Sequence, residues 1–460
     1  MMKNFIKKFI LQLLLFCIVI SNSIPVSASN NQKFPTIDAK AAIVMDAATG
    51  QILYDKNMKK QKYPASLTKL MTVLLTLENC KFNEKVKFSE EAVFGIEPGS
   101  SNIGIVPGEI LTVEQCLYGM MLESANEVCS AIAEHISGSV EDFAKLMTKR
   151  AKELGCINTQ FQNANGLHDD DHYTTAYDMA LVLQELLKHP EFRTIASSRN
   201  YELKKTNKSK ARWLGNHHKM IRYPQSDTYS ISDSVTVTSG KTAFTLKAKT
   251  CLATSATNGE MELICIVMDD TGASVYWDTQ KLLRYIFKNY EYMQPLKSYN
   301  TMPIASSNLI AHNLFEFVHP ETLNLKVNTN YIVTIPKNAD MKKLTTSVTK
   351  ELDSSTNKLG ILHIYYDKKE VGQTPVFFSP ITISKLEVHS PYKSFDLAHF
   401  HPKNFHFYML STAEKIFLFS VIFILFLLLL FGVLFYINLM KKRRAMRFSY
   451  NYKTKSKKQI

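Results

Sequence analysis

The segment YPASLTKLMT places a serine and a lysine, Ser66 and Lys69, at the start of a strongly apolar stretch. A spacing of three residues puts both side chains on one face of a helix. A lysine amine can remove the proton of a serine hydroxyl only when the amine is neutral, and burial with a second cation nearby lowers the lysine pKa. The segment therefore predicts a serine nucleophile with a lysine base, although a helix cap followed by a solvated lysine has the same spacing.

Two later segments supply groups that such a nucleophile needs. MLESANEV contains Ser124 and Asn126, and VTSGKTAFT contains Lys241 and Thr242. A hydroxyl between two nitrogens can pass a proton, an amide can hydrogen-bond an amide, and a cation suits a carboxylate. In this order the three segments match the S-x-x-K, S-x-N and K-T-G motifs of penicillin-binding proteins and serine β-lactamases.

The hydrophobic patterns predict the elements that hold these segments. Apolar residues recur at helical spacing over 67–75 and 143–154, while an apolar hairpin is predicted at 41–54 and further strands at 235–238 and 262–268. Strands at both ends with helices between them predict an α+β domain. After residue 290 short apolar runs separated by turn residues predict a small all-β domain at about 300–400.

The sequence around the motifs resembles one family, the serine D-alanyl-D-alanine carboxypeptidases, which are low-molecular-weight penicillin-binding proteins. The resemblance covers residues 38–290 and is carried by AAIVMDAATGQILYDKNMKKQKYPASLTKLMT and by the segment from SANEVC to TTAYDMA. It implies a penicillin-binding-protein/serine β-lactamase-like transpeptidase fold for these residues, with the β-rich part as the family's second domain. That family also uses a C-terminal membrane anchor.

The resemblance further implies a role for each motif residue. Ser66 would attack the carbonyl of the penultimate D-alanine with Lys69 as general base, and Ser124 would relay the proton to the leaving amine. The implied substrate contacts and oxyanion donors are Asn126 for the peptide amide, Lys241 and Thr242 for the terminal carboxylate, and the backbone N–H groups of Ser66 and Phe244. Stem peptides ending in D-Ala-D-Ala would be the substrates, β-lactams would be covalent inhibitors, and neither a metal nor an organic cofactor is implied.

Three positions depart from the family pattern. Ala243 replaces the glycine of K-T-G, and its methyl is expected on the same side of the strand as Lys241, where it would crowd the substrate or the serine helix. Gly240 stands where an apolar residue is usual. Asn216-His217-His218 occupies a region where N-x-N is common, and we interpret its histidines as surface or packing residues.

A run of possible metal ligands, His168-Asp169-Asp170-Asp171-His172, has two imidazoles and three carboxylates. The surrounding residues match a loop of the family, from Asn163 to Ala176, that holds no metal. We therefore interpret the run as a structural loop.

Both ends of the chain carry membrane signals. Lysines followed by the apolar run 9–20 and by Val26-Ser27-Ala28 predict a signal peptide at 1–28. Residues 416–440 contain no charge and are long enough to cross a bilayer, and the basic tail 441–460 marks the cytoplasmic side. We expect a single-pass protein of the cell membrane with its catalytic body outside the cytoplasm.

The formal net charge of +14 is concentrated at those two ends, so the body is nearly neutral, and we expect no nucleic acid among the partners. Six cysteines follow the signal segment without a C-x-x-C pair, and buried free thiols are expected, although Cys251 and Cys265 could face each other on neighbouring strands.

The first functional hypothesis is a membrane-anchored, penicillin-sensitive serine D-Ala-D-Ala carboxypeptidase acting on peptidoglycan. The alternatives are a weakened wall-binding or regulatory homologue, suggested by Ala243, and a β-lactamase. The predicted second domain and anchor favour the carboxypeptidase over the β-lactamase, and the complete S-x-x-K and S-x-N motifs argue against the binding protein.

Overall fold

A computed structural model describes residues 34–296 and 325–378, except 329, 354 and 357. The predicted signal peptide, membrane span and basic tail lie outside these residues. Within the described ranges, none of the helices combines the length and the apolar character needed to cross a bilayer.

A five-stranded antiparallel sheet forms the centre of the fold, with strand order β2-β1-β9-β8-β7. Its strands are β1 (Ala41–Asp46), β2 (Ile52–Lys56), β7 (Thr236–Thr245), β8 (Lys249–Thr257) and β9 (Glu262–Asp270). The first two strands are the predicted hairpin, shifted at its second strand. The last three form a meander late in the chain, so β7 is an edge strand of the sheet that the described residues form.

Most of the helices lie in the chain between the hairpin and the meander, as the sequence predicts. They are α1 (Thr68–Asn79), α2 (Glu90–Phe94), α3 (Val113–Leu122), α4 (Asn126–Ser137), α5 (Val140–Glu153), α6 (Ala176–Leu186), α7 (Pro190–Ser197) and α8 (Lys219–Arg222), and α9 (Ser274–Asn289) follows the meander. Two short strand pairs lie among them, β3 (Lys85–Lys87) with β4 (Ile110–Thr112) and β5 (Asn200–Leu203) with β6 (Arg212–Gly215).

The sheet separates two hydrophobic cores. One face packs with α1 and most other helices of the middle segment, and the opposite face packs with α9 and with Met220 of α8. Alternation along a strand assigns each residue to one of these faces. Cys251 belongs to the first core and Cys265 to the second, so the two thiols lie on opposite faces of the sheet and cannot pair. Of the six cysteines in the described residues, all are free and only Cys80 is not fully buried.

The described residues after α9 are strands and one 3-10 turn. They are β10 (Tyr290–Met293), β11 (Leu325–Lys326), β12 (Val333–Pro336), β13 (Leu344–Asp353), β14 (Lys358–Tyr366) and β15 (Lys369–Phe378). Strands β11, β15, β14 and β13 form one sheet, and β10 pairs with β12. Thr334 on β12 hydrogen-bonds the side chains of Asp46 and Gln51, which attaches this part to the central hairpin. The predicted domain bounds stay predictions.

Candidate active site

Ser66 lies in a 3-10 turn, Ala65–Leu67, that leads directly into α1. The turn departs from the uninterrupted helix that the apolar repeat predicts, and its first residue, Ala65, has a positive φ of 45°. The loop residue Gly166, with φ of +88°, lies so close to this turn that an added Cβ would overlap the carbonyl of Ala65. A glycine is therefore required there, because the loop and the serine turn touch through their backbones.

Lys69 is completely buried in the first turn of α1 and points back to the serine. Its Nζ lies 3.0 Å from Ser66 Oγ, 2.7 Å from Asn126 Oδ1 and 2.6 Å from the carbonyl oxygen of Asn165. Burial lowers the pKa of Lys69 to about 8, against the opposing influence of Glu127 and Cys129. At pH 7 about a tenth of such a lysine is neutral, so a base is available at the serine.

Ser124 connects the end of α3 to the start of α4 in a strained conformation, with φ of +60°. It is buried, and its Oγ has no hydrogen-bond partner among the described residues. Two residues later, Asn126 begins α4 and accepts a hydrogen bond from Lys69. The hydrogen bond from Lys69 to Asn126 thus joins the S-x-x-K and S-x-N segments directly. The Ser124 hydroxyl, two residues before Asn126, is left available for a hydrogen bond.

Lys241 enters the same region from β7. Its register opposite Ala253 places it on the sheet face that packs with α1. The side chain is completely buried, and its Nζ donates a hydrogen bond to the carbonyl of Thr242 at 3.1 Å. Burial, and then repulsion by Lys69, lower the pKa of Lys241 to about 7. Two buried ammonium groups therefore repel each other across the candidate site.

The other two residues named from the third motif are placed less directly. Thr242 is half-buried, and its side chain projects from the face of β7 opposite to that of Lys241. Because β7 is at the edge of the sheet, the Thr242 hydroxyl can approach the site only past that edge. Phe244 has an exposed side chain, and β7 contacts the serine turn, so the two predicted oxyanion donors belong to adjoining segments. The roles of Thr242, Ser66 N–H and Phe244 N–H remain predictions.

A contact between an imidazole and a carboxylate next to Ser124 was not foreseen from the sequence. His217 Nε2 lies 2.9 Å from Glu123 Oε2, and the backbone N–H of Gly215 donates to the other carboxylate oxygen at 2.6 Å. Burial lowers the pKa of His217; Glu123 opposes this effect and the charge of Lys241 adds to it. His217 therefore lies beside the candidate site and is more than a surface residue.

The departures at the third motif have packing explanations. Ala243 lies on the same face of β7 as Lys241 and is buried in one core with Ala65 and Leu67. On the other face, a Cβ at Gly240 would lie 2.5 Å from the ring of His218. His218 is buried, and its Nε2 is 2.9 Å from Thr254 Oγ1.

The acidic loop supports the sequence interpretation of a structural segment. Nδ1 of His172 accepts a hydrogen bond from the Gln162 N–H at 3.0 Å, and its Nε2 lies 2.8 Å from Thr68 Oγ1. Both ring nitrogens therefore have protein partners, and burial lowers the pKa of this histidine to about 4. His172 braces the first turn of α1 in its neutral form.

Comparison with known proteins gives consistent matches. The family model described as D-alanyl-D-alanine carboxypeptidase matches residues 27–272. The D-alanyl-D-alanine carboxypeptidase DacF of Bacillus subtilis is 39% identical over 263 residues, which cover 55% of this chain and 63%, less than two thirds, of the relative. The D-alanyl-D-alanine carboxypeptidase DacC of Escherichia coli is 29% identical, with coverage of 76% and 86%.

A solved structure shows the same fold over most of the described residues. Penicillin-binding protein 5 from Haemophilus influenzae superposes with a TM-score of 0.58 at 24% sequence identity, covering 75% of this chain and 98% of the other. The predicted α+β class of the transpeptidase domain is confirmed.

Proposed function

Because the chain belongs to the D-alanyl-D-alanine carboxypeptidase family, we propose that it removes the terminal D-alanine from peptidoglycan stem peptides through an acyl-enzyme on Ser66. The observation that carries this proposal is the 3.0 Å contact between Ser66 Oγ and the Nζ of buried Lys69. Burial makes the neutral amine accessible near neutral pH, which the deprotonation of a serine requires.

In the first step the Ser66 hydroxyl gives its proton to neutral Lys69 while Oγ attacks the carbonyl carbon of the penultimate D-alanine. The peptide bond then breaks, and the leaving amine of the terminal D-alanine takes up this proton from Lys69 through Ser124. A water molecule later attacks the ester while the again neutral Lys69 receives its proton, and Lys69 returns that proton to Ser66 Oγ as the ester bond breaks and the shortened peptide leaves. The unpartnered Oγ of Ser124 supports the relay, because a buried hydroxyl gains a partner when the substrate arrives.

Substrate recognition follows from the remaining groups. Charged Lys241 suits the terminal carboxylate, whose negative charge relieves the repulsion between the two lysines. The Asn126 side chain keeps its nitrogen for the peptide carbonyl, since its oxygen accepts from Lys69. The backbone N–H groups of Ser66 and Phe244 would hold the oxyanion, which is supported by the contact of edge strand β7 with the serine turn.

The proposal extends to the cell surface. A signal peptide at 1–28, a β-rich second domain at 300–400, an anchor at 416–440 and a cytoplasmic tail at 441–460 would place the active site against the wall. Support comes from the composition of these segments. Fractionation of cells tests it: the full chain is expected in the membrane fraction, and a chain ending at Thr412 is expected outside the cell. Recovery of both chains in the cytosol would refute this topology.

The activity is tested with the full chain purified in detergent. Mass spectrometry after incubation with benzylpenicillin is expected to show one adduct on Ser66, absent from Ser66→Ala, and a diacyl-D-Ala-D-Ala peptide is expected to release D-alanine. Rapid release of hydrolysed drug would indicate a β-lactamase instead. Neither adduct nor D-alanine, with both restored by Ala243→Gly, would indicate a homologue whose methyl at 243 has weakened turnover.

A further inference from the structure

Three side chains of metal-ligating type meet where the C-terminal ends of α1 and α4 lie together, away from Ser66. Cys80 directly follows the last residue of α1, Glu84 lies in the next turn, and His135 lies in the last turn of α4. One donor atom from each residue lies within 4.8 Å of the other two. These three residues are called the α1–α4 cluster below.

We propose that the α1–α4 cluster is a zinc site with Cys80, Glu84 and His135 as protein ligands and water in the fourth position. Thiolate, imidazole and carboxylate are the three ligand types that Zn²⁺ takes in proteins. Bonds of about 2.0 Å at a tetrahedral angle separate a nitrogen and an oxygen ligand by about 3.3 Å. His135 Nε2 and Glu84 Oε2 are 3.2 Å apart, so this edge of the tetrahedron has close to its ligated length, and the Cys80 sulfur lies within 4.8 Å of its two partner donor atoms.

The local structure holds the carboxylate in position and keeps the cluster accessible. The Lys81 N–H donates to Glu84 Oε1 at 2.7 Å, and the Glu84 N–H donates to the Lys81 carbonyl at 3.0 Å, which closes a short turn. This leaves Glu84 Oε2 facing the histidine. The Glu84 and His135 side chains are 38% and 28% exposed, so an ion can enter and a water ligand has room. As the zinc–sulfur contact forms, the Cys80 thiol releases its proton to the buffer.

The site would join two helices whose other ends carry the catalytic groups. The N-terminal end of α1 holds Lys69 and that of α4 begins with Asn126, and these two side chains hydrogen-bond each other. With twelve residues in α1, the cluster lies about 16 Å along the helix from Lys69. Zinc there stabilises the helix pair and takes no part in the acyl transfer.

The test uses the full chain in detergent, first stripped with a chelator and then titrated with zinc chloride alone. One zinc per chain is expected by elemental analysis, together with a higher melting temperature. Cys80→Ser and His135→Ala are each expected to weaken binding at least about tenfold. His363→Ala is the matched control. His363 Nδ1 also lies close to a carboxylate, 2.7 Å from Glu370 Oε1, but among the described residues this pair has no third ligand. The zinc binding of this variant is expected to equal that of the unmodified chain.

A second readout does not depend on the folding of variants. Cys80 is the one cysteine of the described residues that is not fully buried, so a maleimide reagent should label it first. Zinc is expected to slow this labelling at least about tenfold, as measured on the peptide that contains Cys80. Unchanged labelling with zinc, or a zinc content that does not change in Cys80→Ser and His135→Ala, overturns the proposal. Neither result bears on the acyl-enzyme at Ser66.

Discussion

The two buried lysines make a specific prediction about pH. The reaction needs Lys69 neutral, because it removes the serine proton, and Lys241 charged, because it binds a carboxylate. The pKa of Lys69 is lowered to about 8 and that of Lys241 to about 7. The protonation state that works is therefore a minor one, and its population has a maximum between these two values.

With the two lysines taken to titrate independently, the size of the effect follows from the product of the two fractions. At pH 7.5 about 6% of the free enzyme has Lys69 neutral and Lys241 charged, and at pH 6 or pH 9 this falls to about 1%. The kcat/KM for D-alanine release is therefore expected to follow a bell centred near pH 7.5, with a roughly sixfold fall on each side. A Lys69 with the ordinary pKa of 10.5 would instead give a rate that is nearly constant from pH 7.5 to pH 9, because the gain in neutral Lys69 is balanced by the loss of charged Lys241.

The assay is D-alanine release at low substrate concentration from pH 6 to pH 9, with the Lys241→Arg variant measured in parallel. Arginine stays charged over this range, so the fall above pH 8 should disappear while the acid limb remains, whatever the height of the curve. A flat profile in the unmodified enzyme would refute the role of Lys69. A fall above pH 8 that persists in Lys241→Arg would refute the assignment of that limb to Lys241.

Other predictions concern packing around the site. Gly240→Ala is expected to lose about 2 kcal/mol of unfolding free energy in urea, because the new methyl meets the ring of His218. Gly215→Ala is the control, because its added carbon makes only an ordinary 3.4 Å contact with the side chain of Arg222. Equal losses in the two variants would contradict this. Burial lowers the pKa of His172 to about 4 and that of His218 to about 3, so the unfolded chain binds more protons below pH 6.5. The contribution of these two histidines should be complete above pH 6.5 and fall toward pH 4 by about 1.4 kcal/mol per pH unit for each histidine. Urea unfolding of His218→Asn should show a slope that is smaller by about 1.4 kcal/mol per pH unit, and an unchanged slope would count against this. Gly166→Ala should slow penicillin acylation about a hundredfold by moving the serine turn, and mass spectrometry showing normal acylation would contradict this.

Much of the fold could be predicted because its signals are local. The helical repeat after Ser66 and the apolar hairpin at 41–54 are both present, and all of β1 and the first nine residues of α1 are buried, as their apolar composition suggests. The strand ends were less predictable. The apolar pattern marks a strand only over 235–238, and the motif places Lys241 on a strand as well; the two belong to one strand that extends to Thr245, because pairing with β8 continues through the K-T-A segment.

The site could be predicted only where a motif names its residues. Ser66, Lys69 and Asn126 are joined by hydrogen bonds, and Lys241 lies beside them, as the motif order suggests. The carbonyl of Asn165 could not be predicted, because every residue has one and only the fold selects which carbonyl faces a lysine. The contact of Glu123 with His217 was missed because the two residues are distant in sequence and carry no motif.

The unusual residues of the third motif are explained by the alternation of β7. Gly240 and Lys241 project to opposite faces, so the missing side chain at 240 opens space below the strand and not in the site. His218 fills this space and is fixed to Thr254 on the neighbouring strand β8. The His218 ring thus packs against β7 on the face that a side chain at position 240 would occupy. The methyl of Ala243 packs into the core on the opposite face, near the serine turn. The glycine and the histidine therefore compensate each other, and Ala243 is the one departure on the catalytic face, which makes Ala243→Gly the informative change for turnover.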